Sequence, residues 1–148
     1  MPVSERSTMH AWQSFVRVKA EVRRIMHRDL HERGLTGSQL DILRVLASSD
    51  GGVQLSDISQ QLYVTSGNVT GLIDRLEEAG HLARIPHPED RRVTLAVLTQ
   101  AGRDLFEEIY PSHVARIRYL LSPLTAQEQA VLADLLSRIA DRAMELER

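Results

Sequence analysis

Residues 90–99, DRRVTLAVLT, constrain this chain more than any other stretch, because of what precedes them. A helix-like segment covers 65–79, and a short strand-like run covers 82–86. A tip of mixed charge, 87–92, then leads into a second apolar strand, 93–98. Two short apolar runs around a tight charged turn read as a β-hairpin, and Pro86 and Pro88 stiffen the entry to its loop. Few folds place a helix, a strand, a charged tip and a strand in that order. A hairpin with arginines at its end has the shape to reach into a nucleic-acid groove.

The segments upstream read as helices. Residues 8–33 place Met9, Trp12, Phe15, Val16, Val22, Ile25, Met26 and Leu30 at helical spacing, and Gly34 supplies a stop. Thr36 or Ser38 can cap the next helix, whose apolar face is Leu40, Leu43, Val45 and Leu46. The run Ser48-Ser49-Asp50-Gly51-Gly52 turns the chain out of it. Residues 53–55 are short and apolar enough to pair along the edge of the later hairpin. Two short helices follow. Ser56 is the expected cap of the first, which buries Ile58 and Leu62. Tyr63-Val64 makes the turn, and Thr65 caps the second, which buries Val69, Leu72, Ile73 and Leu76 and stops at Gly80.

The second of these helices has another face, made of Ser66, Gly67, Asn68, Thr70 and Gly71. Asparagine can bond adenine bidentately, Ser and Thr can reach bases or phosphates, and glycine permits close backbone approach. Any well-capped surface helix can look like this; the hairpin behind it changes the reading. There, Asp90 can hold a neighbouring guanidinium in a fixed fork. Arg91 and Arg92 can enter a narrow minor groove, where negative potential is enhanced, and His87 can add a phosphate contact. The expected fold is mostly α with a small β-hairpin wing. It is a winged helix-turn-helix over residues 36–98, flanked by dimerisation helices over 8–33 and 99–146, all in one domain, 1–148.

The closing helices carry the argument for a dimer. Leu105, Phe106 and Ile109 line one side of the fifth helix, and Pro111 is expected to kink it before Val114, Ile117, Leu120 and Leu121. The sixth opens with a capping box, Thr125-x-x-Glu128, and carries Val131, Leu132, Leu135, Leu136, Ile139, Ala140 and Met144. Together with the first helix this is more apolar surface than a small central domain covers, and an intermolecular bundle accounts for it. Two copies would set two recognition helices about one DNA turn, roughly 34 Å, apart.

Charge and composition bound the rest. The formal net charge is −2, yet residues 81–103 hold 4 basic and 2 acidic side chains, whereas 104–148 hold 5 and 8. Acid is thus gathered away from the wing, and a modest local excess still binds phosphate. With no cysteine in 148 residues, disulfides, thiolate metal sites and thiol redox chemistry are excluded. There is no secretion signal and no apolar run of membrane-spanning length, so the cytoplasm is the expected setting. Phosphate loops, nucleophile elbows and zincin motifs are missing, no cofactor is called for, and an enzyme is not expected.

Taken together, Ile73-Asp74-Arg75-Leu76-Glu77, Ala79-Gly80-His81-Leu82 and Asp90-x-Arg92-x5-Leu98-Thr99 resemble the MarR family of bacterial transcription regulators over nearly the whole chain. The resemblance implies a homodimer on a pseudo-palindromic double-stranded DNA operator, usually a repressor released by a small molecule. It places Ser66, Asn68 and Thr70 on the exposed face of the recognition helix and Arg92 at the wing, positioned by Asp90, with Arg91 beside it; Thr65, the cap of that helix, is a further DNA-binding candidate. It gives Arg75 a phosphate or internal ion-pair role, and makes Ser38 and Gln39 phosphate contacts. It also implies a cleft for a small aromatic or anionic effector, for which His10, Trp12, Phe15 and Arg17 on the first helix and Tyr110 and His113 on the fifth are candidates. The missing cysteine sets the chain apart from the peroxide-sensing branch. Leu72 stands about where the urate-responsive branch carries an arginine. Two other readings stay open. One is a winged helix used for protein–protein assembly; the other is a metal-responsive regulator using His27 and His31, spaced i, i+4 but without a third ligand.

Overall fold

The computed structural model describes residues 4–62 and 66–146, and of Ser66 the backbone alone. Through them the chain runs α1 (Glu5–His31), α2 (Gly37–Ala47), β1 (Val53–Gln54), α3 (Leu55–Leu62), α4 (Ser66–Glu78), β2 (Leu82–Pro86), β3 (Thr94–Leu98), α5 (Gln100–Leu121) and α6 (Ala126–Glu145). This is the mostly helical architecture with a small wing that the sequence implies. The expected turn at Tyr63-Val64 and the cap at Thr65 lie outside the described residues. Contacts divide the chain into one unit up to Tyr110 and a second from Pro111 onward. Among the described residues, no helix is long and apolar enough to cross a membrane.

The first unit is built on α2 and α4. Leu40, Ile42, Leu43 and Leu46 of α2 are at most 2% exposed, and Ile58 of α3 with Val69, Ile73 and Leu76 of α4 join them in one core. Fully burying a side chain of this kind contributes about 1.5–3 kcal/mol. That burial, rather than helix propensity, holds together helices as short as α3. Leu82 of β2 and Ala96 of β3 close the core from the sheet side. The sheet order is β1-β3-β2, antiparallel throughout, with Val53 opposite Ala96 and the hairpin in register from Leu82↔Leu98 to Pro86↔Thr94.

Local chemistry sets the element ends. Ser4 caps α1 by accepting the Ser7 N–H at 3.2 Å, so the helix starts ahead of the expected Thr8. Thr36, rather than Ser38, caps α2. Its Oγ1 accepts the Gln39 N–H at 3.2 Å while Gln39 Oε1 accepts the Thr36 N–H at 2.9 Å. The expected cap at Ser56 is corrected: α3 begins at Leu55, directly out of β1, which leaves Ser56 inside its first turn. Leu55 consequently belongs to the helix and packs on the core instead of extending the strand.

The end of α4 and the start of α5 meet at a tight junction. Gly80 takes φ 78°, which favours glycine, and the His81 N–H reaches back to the Leu76 carbonyl at 2.9 Å, a Schellman ending. Thr99 returns to the same place after the hairpin. Its N–H donates to the His81 carbonyl at 3.2 Å, and its hydroxyl donates to the Gly80 carbonyl at 2.6 Å. The same hydroxyl accepts the Gly102 N–H at 3.0 Å, capping α5. Gly102 is pressed so close that an added Cβ would lie 1.8 Å from the His81 carbonyl oxygen and 2.7 Å from its carbon.

In the second unit, α5 stays helical through Pro111, which removes an N–H donor without ending the helix. The expected capping box opens α6, with the Glu128 N–H on Thr125 Oγ1 at 3.3 Å and the Thr125 N–H on Glu128 Oε2 at 2.8 Å. These bonds hold the Glu128 carboxyl below its ordinary range, the Thr125 backbone N–H first among the causes. No residue of α6 is buried.

Candidate nucleic-acid interface

Commitment of one side of α4 to the core dictates what the other side shows. Val69, Leu72, Ile73 and Leu76 point inward. Gly67, Asn68, Thr70, Gly71, Asp74 and Arg75 are all exposed. The exposed set begins at the helix N-terminus, where backbone N–H groups and the helix dipole favour an anion. Ser66 opens the same helix. Gln39 has a different occupation from the expected phosphate contact, because its side chain is buried and held in the α2 capping box. Ser38, exposed on the first turn of α2, keeps the freedom that Gln39 lacks.

Beyond the last hairpin pair, the wing tip folds on its own backbone. The His87 N–H donates to the Val93 carbonyl at 2.9 Å, and the Val93 N–H to the Asp90 carbonyl at 3.0 Å. The Glu89 N–H donates to His87 Nδ1 at 3.1 Å, so one ring nitrogen of His87 serves the loop. Asp90 then takes hold of Arg92. Nε donates to Oδ1 and Nη2 to Oδ2, each at 3.0 Å, and the Arg92 backbone N–H also donates to Oδ1 at 3.0 Å. The Arg92 side-chain bond first, and its backbone N–H second, hold the Asp90 carboxyl below its usual 3.8. The same bond raises Arg92. So exposed a pair adds little to stability. It supplies orientation instead: the Arg92 side chain is 90% exposed, yet its guanidinium plane is fixed. Arg91 is exposed beside it.

Arg75, for which a phosphate and an ion-pair role were both open, is exposed and has no ion pair among the described residues. The ion-pair role falls to Arg84 on β2, which the sequence reading did not single out. Its Nη2 donates to Asp74 Oδ1 and its Nη1 to Glu77 Oε2, while its backbone N–H donates to Glu77 Oε1 at 3.1 Å. The Asp74 hydrogen bond leads the causes that raise the Arg84 guanidinium, against partial desolvation that lowers it. A signal was present in the sequence: two acids three residues apart on a helix, followed by an arginine on the next strand.

The other candidates fall in both units. Trp12 and Phe15 lie together on α1 with ring centres 5.8 Å apart, and His10 and Arg17 are exposed on the same helix. Tyr110 is half-buried and stacks on Phe106 at 4.6 Å, against the core of the first unit. His113 is half-buried and belongs to the second unit. His27 and His31 stack at 5.2 Å. No group of three or more His, Asp or Glu side chains able to hold a metal ion gathers among the described residues.

Residues 33–93 match the sequence profile of the MarR family. Over 130 residues the chain is 35% identical to YkoM of Bacillus subtilis, an uncharacterized helix-turn-helix-type transcriptional regulator, covering 88% of this chain and 84% of that one. Its fold is similar to that of Sco3205, a MarR family transcriptional regulator from Streptomyces coelicolor solved in complex with DNA. There the TM-score is 0.86 at 22% identity, over 95% of this chain and 89% of the other. It is also similar to BpsR of Bordetella bronchiseptica, whose DNA binding is regulated by 6-hydroxynicotinic acid. That comparison gives a TM-score of 0.78 at 26% identity, over 95% and 99% of the two chains.

Proposed function

The chain belongs to the MarR family of transcription regulators, and from that premise we propose that it is a homodimeric repressor of a pseudo-palindromic DNA operator, released by a small aromatic or anionic effector. One observation carries the DNA-binding part. The exposed Asn68 and Thr70 of α4 and the Asp90-held Arg92 of the wing belong to one unit and form two separate readers. In this reading α4 enters the major groove, with Asn68 and Thr70 toward base edges, and Arg92 enters the neighbouring minor groove; Ser66, whose side chain lies outside the described residues, is a further candidate contact. Ser38, Thr65, Arg75, His87 and Arg91 are assigned to the backbone between them. The structure of Sco3205 with DNA supports that use of the fold.

The dimer rests on uncovered apolar surface. On α1, Trp12, Phe15, Val16 and Val18 are exposed, and on α6 so are Val131, Leu135, Leu136 and Ile139. Side chains of this size, repeated on one helix, mark an interaction surface in a folded protein. In this reading residues 8–33 and 99–146 build the interface, and residues 36–98 read DNA. The regulation of BpsR by an aromatic acid supports an effector of that class. On α1, His10, Trp12, Phe15 and Arg17 supply aromatic and basic side chains for it.

Selection from a random-core duplex library tests the whole reading. Two inverted half-sites about 10 base pairs centre to centre are expected, with affinity falling steeply as salt rises. Retention of no duplex at low salt would refute it.

The glycines of α4 give a second test with opposite signs. An added Cβ at Gly71 meets nothing within 4 Å. An interior helical glycine costs about 1 kcal/mol relative to alanine, so Gly71→Ala is expected to raise the melting temperature by roughly 2–4 °C. The same methyl stands on the face offered to DNA, so affinity for the selected duplex is expected to fall. Thermal melting and fluorescence anisotropy on one preparation check both.

A further inference from the structure

Among the described residues, both ion pairs that join the sheet to α4 are made by Arg84. One guanidinium spans two carboxylates a helical turn apart, Asp74 and Glu77. Glu77 in turn is bonded to the strand twice, once by the Arg84 side chain and once by its backbone N–H. That double attachment resists both sliding of the helix along the strand and rotation about a single bond. The row it sits in runs across the sheet. Arg84 is paired with Ala96, which is fully buried, and Ala96 is paired with Val53 on its other side. Strand pairing carries this attachment across the sheet, beside the packing of Leu82 and Ala96 on the core.

Arg84 is also where the wing leaves the body of the protein. Ala83 and Arg84 are half-buried, whereas Ile85 and Pro86 are exposed and the tip follows. At about 3.3 Å per strand residue, His87 lies roughly 10 Å beyond the clasp, so a rock of roughly 10° moves the tip by about 2 Å. Displacements of that size are enough to spoil a two-point recognition geometry.

We propose that Arg84 is a positioning residue of the DNA reader: by bridging Asp74 and Glu77 it fixes the angle between α4 and the wing, and with it the span from the Asn68/Thr70 face to Arg92. The inference rests on the DNA-binding reading above. Arg84 acts through Arg92 and α4 and needs no contact with DNA of its own.

Simple charge counting makes a contrary forecast, and that gives the test its edge. Asp74 is a negative group on the DNA-facing helix, and its side chain is 52% exposed. If charge alone mattered, Asp74→Ala would tighten binding to every duplex. As one arm of the clasp, its loss instead weakens binding to the duplex selected by the unsubstituted protein, while binding to an unrelated duplex holds or improves. Arg84→Met is expected to lower affinity for the selected duplex by about tenfold or more. Arg92→Ala is then expected to cost at least about threefold less in the Arg84→Met background than alone, since positioning and positioned residues do not add. Circular dichroism and thermal melting establish that each variant is folded, and Asp74→Ala carries the test if Arg84→Met is not. Tighter or unchanged binding of Asp74→Ala to the selected duplex overturns the proposal. So does an additive cycle between Arg84 and Arg92. Should the unsubstituted protein select no duplex, the DNA-binding reading itself has failed, which is a different result.

Discussion

Replacing Gly102 by alanine is expected to destabilise the protein by about 3 kcal/mol or more, toward the upper end of what overpacking costs. In an ordinary helix the same substitution is favourable by up to about 1 kcal/mol. The sign reverses because the new Cβ would lie 1.8 Å from the His81 carbonyl oxygen, 2.7 Å from the carbon and 3.1 Å from the Cα. All three are backbone atoms, so no rotamer change relieves the overlap. His81 is fixed by the Schellman bond to Leu76 on one side and by the Thr99 N–H on the other. Relief must therefore come from moving α5 away from the end of α4, at the expense of the Thr99 bonds. For a chain of this length about 3 kcal/mol corresponds to roughly 6–12 °C in melting temperature. Gly71→Ala measured beside it is the control, being the same substitution at an open helical position.

Arg92→Ala is expected to cause the largest loss of DNA affinity of any single side-chain truncation at the wing. A well-made arginine contact in a groove contributes about 1–3 kcal/mol. In the proposed symmetric dimer each substitution removes two of them, for a loss of about 2–6 kcal/mol, or at least about thirtyfold. The salt dependence should become shallower by about two in its logarithmic slope, one for each lost cation. Arg92→Lys keeps the charge but cannot form the two-point fork on Asp90, so it should restore the slope more fully than the affinity. Anisotropy titrations of the selected duplex across a salt series separate these effects. Unchanged affinity for Arg92→Ala would remove the wing from the DNA interface.

The two positions differ in how far sequence reveals them. The hairpin was legible because strand character, prolines and charge all change within a few residues, and β2 falls on 82–86 as read. The core face of α4 and the capping box of α6 were legible for the same local reason. Arg84 left only a faint spacing signal, because its partners lie on another element and only the folded backbone brings them together. Gly102 was missed since a glycine early in a helix reads as weak propensity, and its crowding comes from His81, twenty-one residues away. Gln39 is the instructive middle case: Thr36-x-x-Gln39 is a capping-box pattern readable in the sequence, but its polarity invited an outward role. Ser56 failed through geometry, since β1 turns into α3 without a residue to spare.

The Thr99 hydroxyl donates to Gly80 and accepts from Gly102, so one oxygen belongs to both the segment proposed to read DNA and the helix that follows it. That decides where a transplant of reading specificity between relatives can be cut. A graft ending at the last strand residue would separate the hydroxyl from one of its two clients and set a foreign first turn against His81. A graft carried through Gly102 takes the oxygen, both partners and the contact surface as one cassette, and its seam then falls in a stretch of helix whose neighbouring residues, Arg103 and Asp104, are exposed.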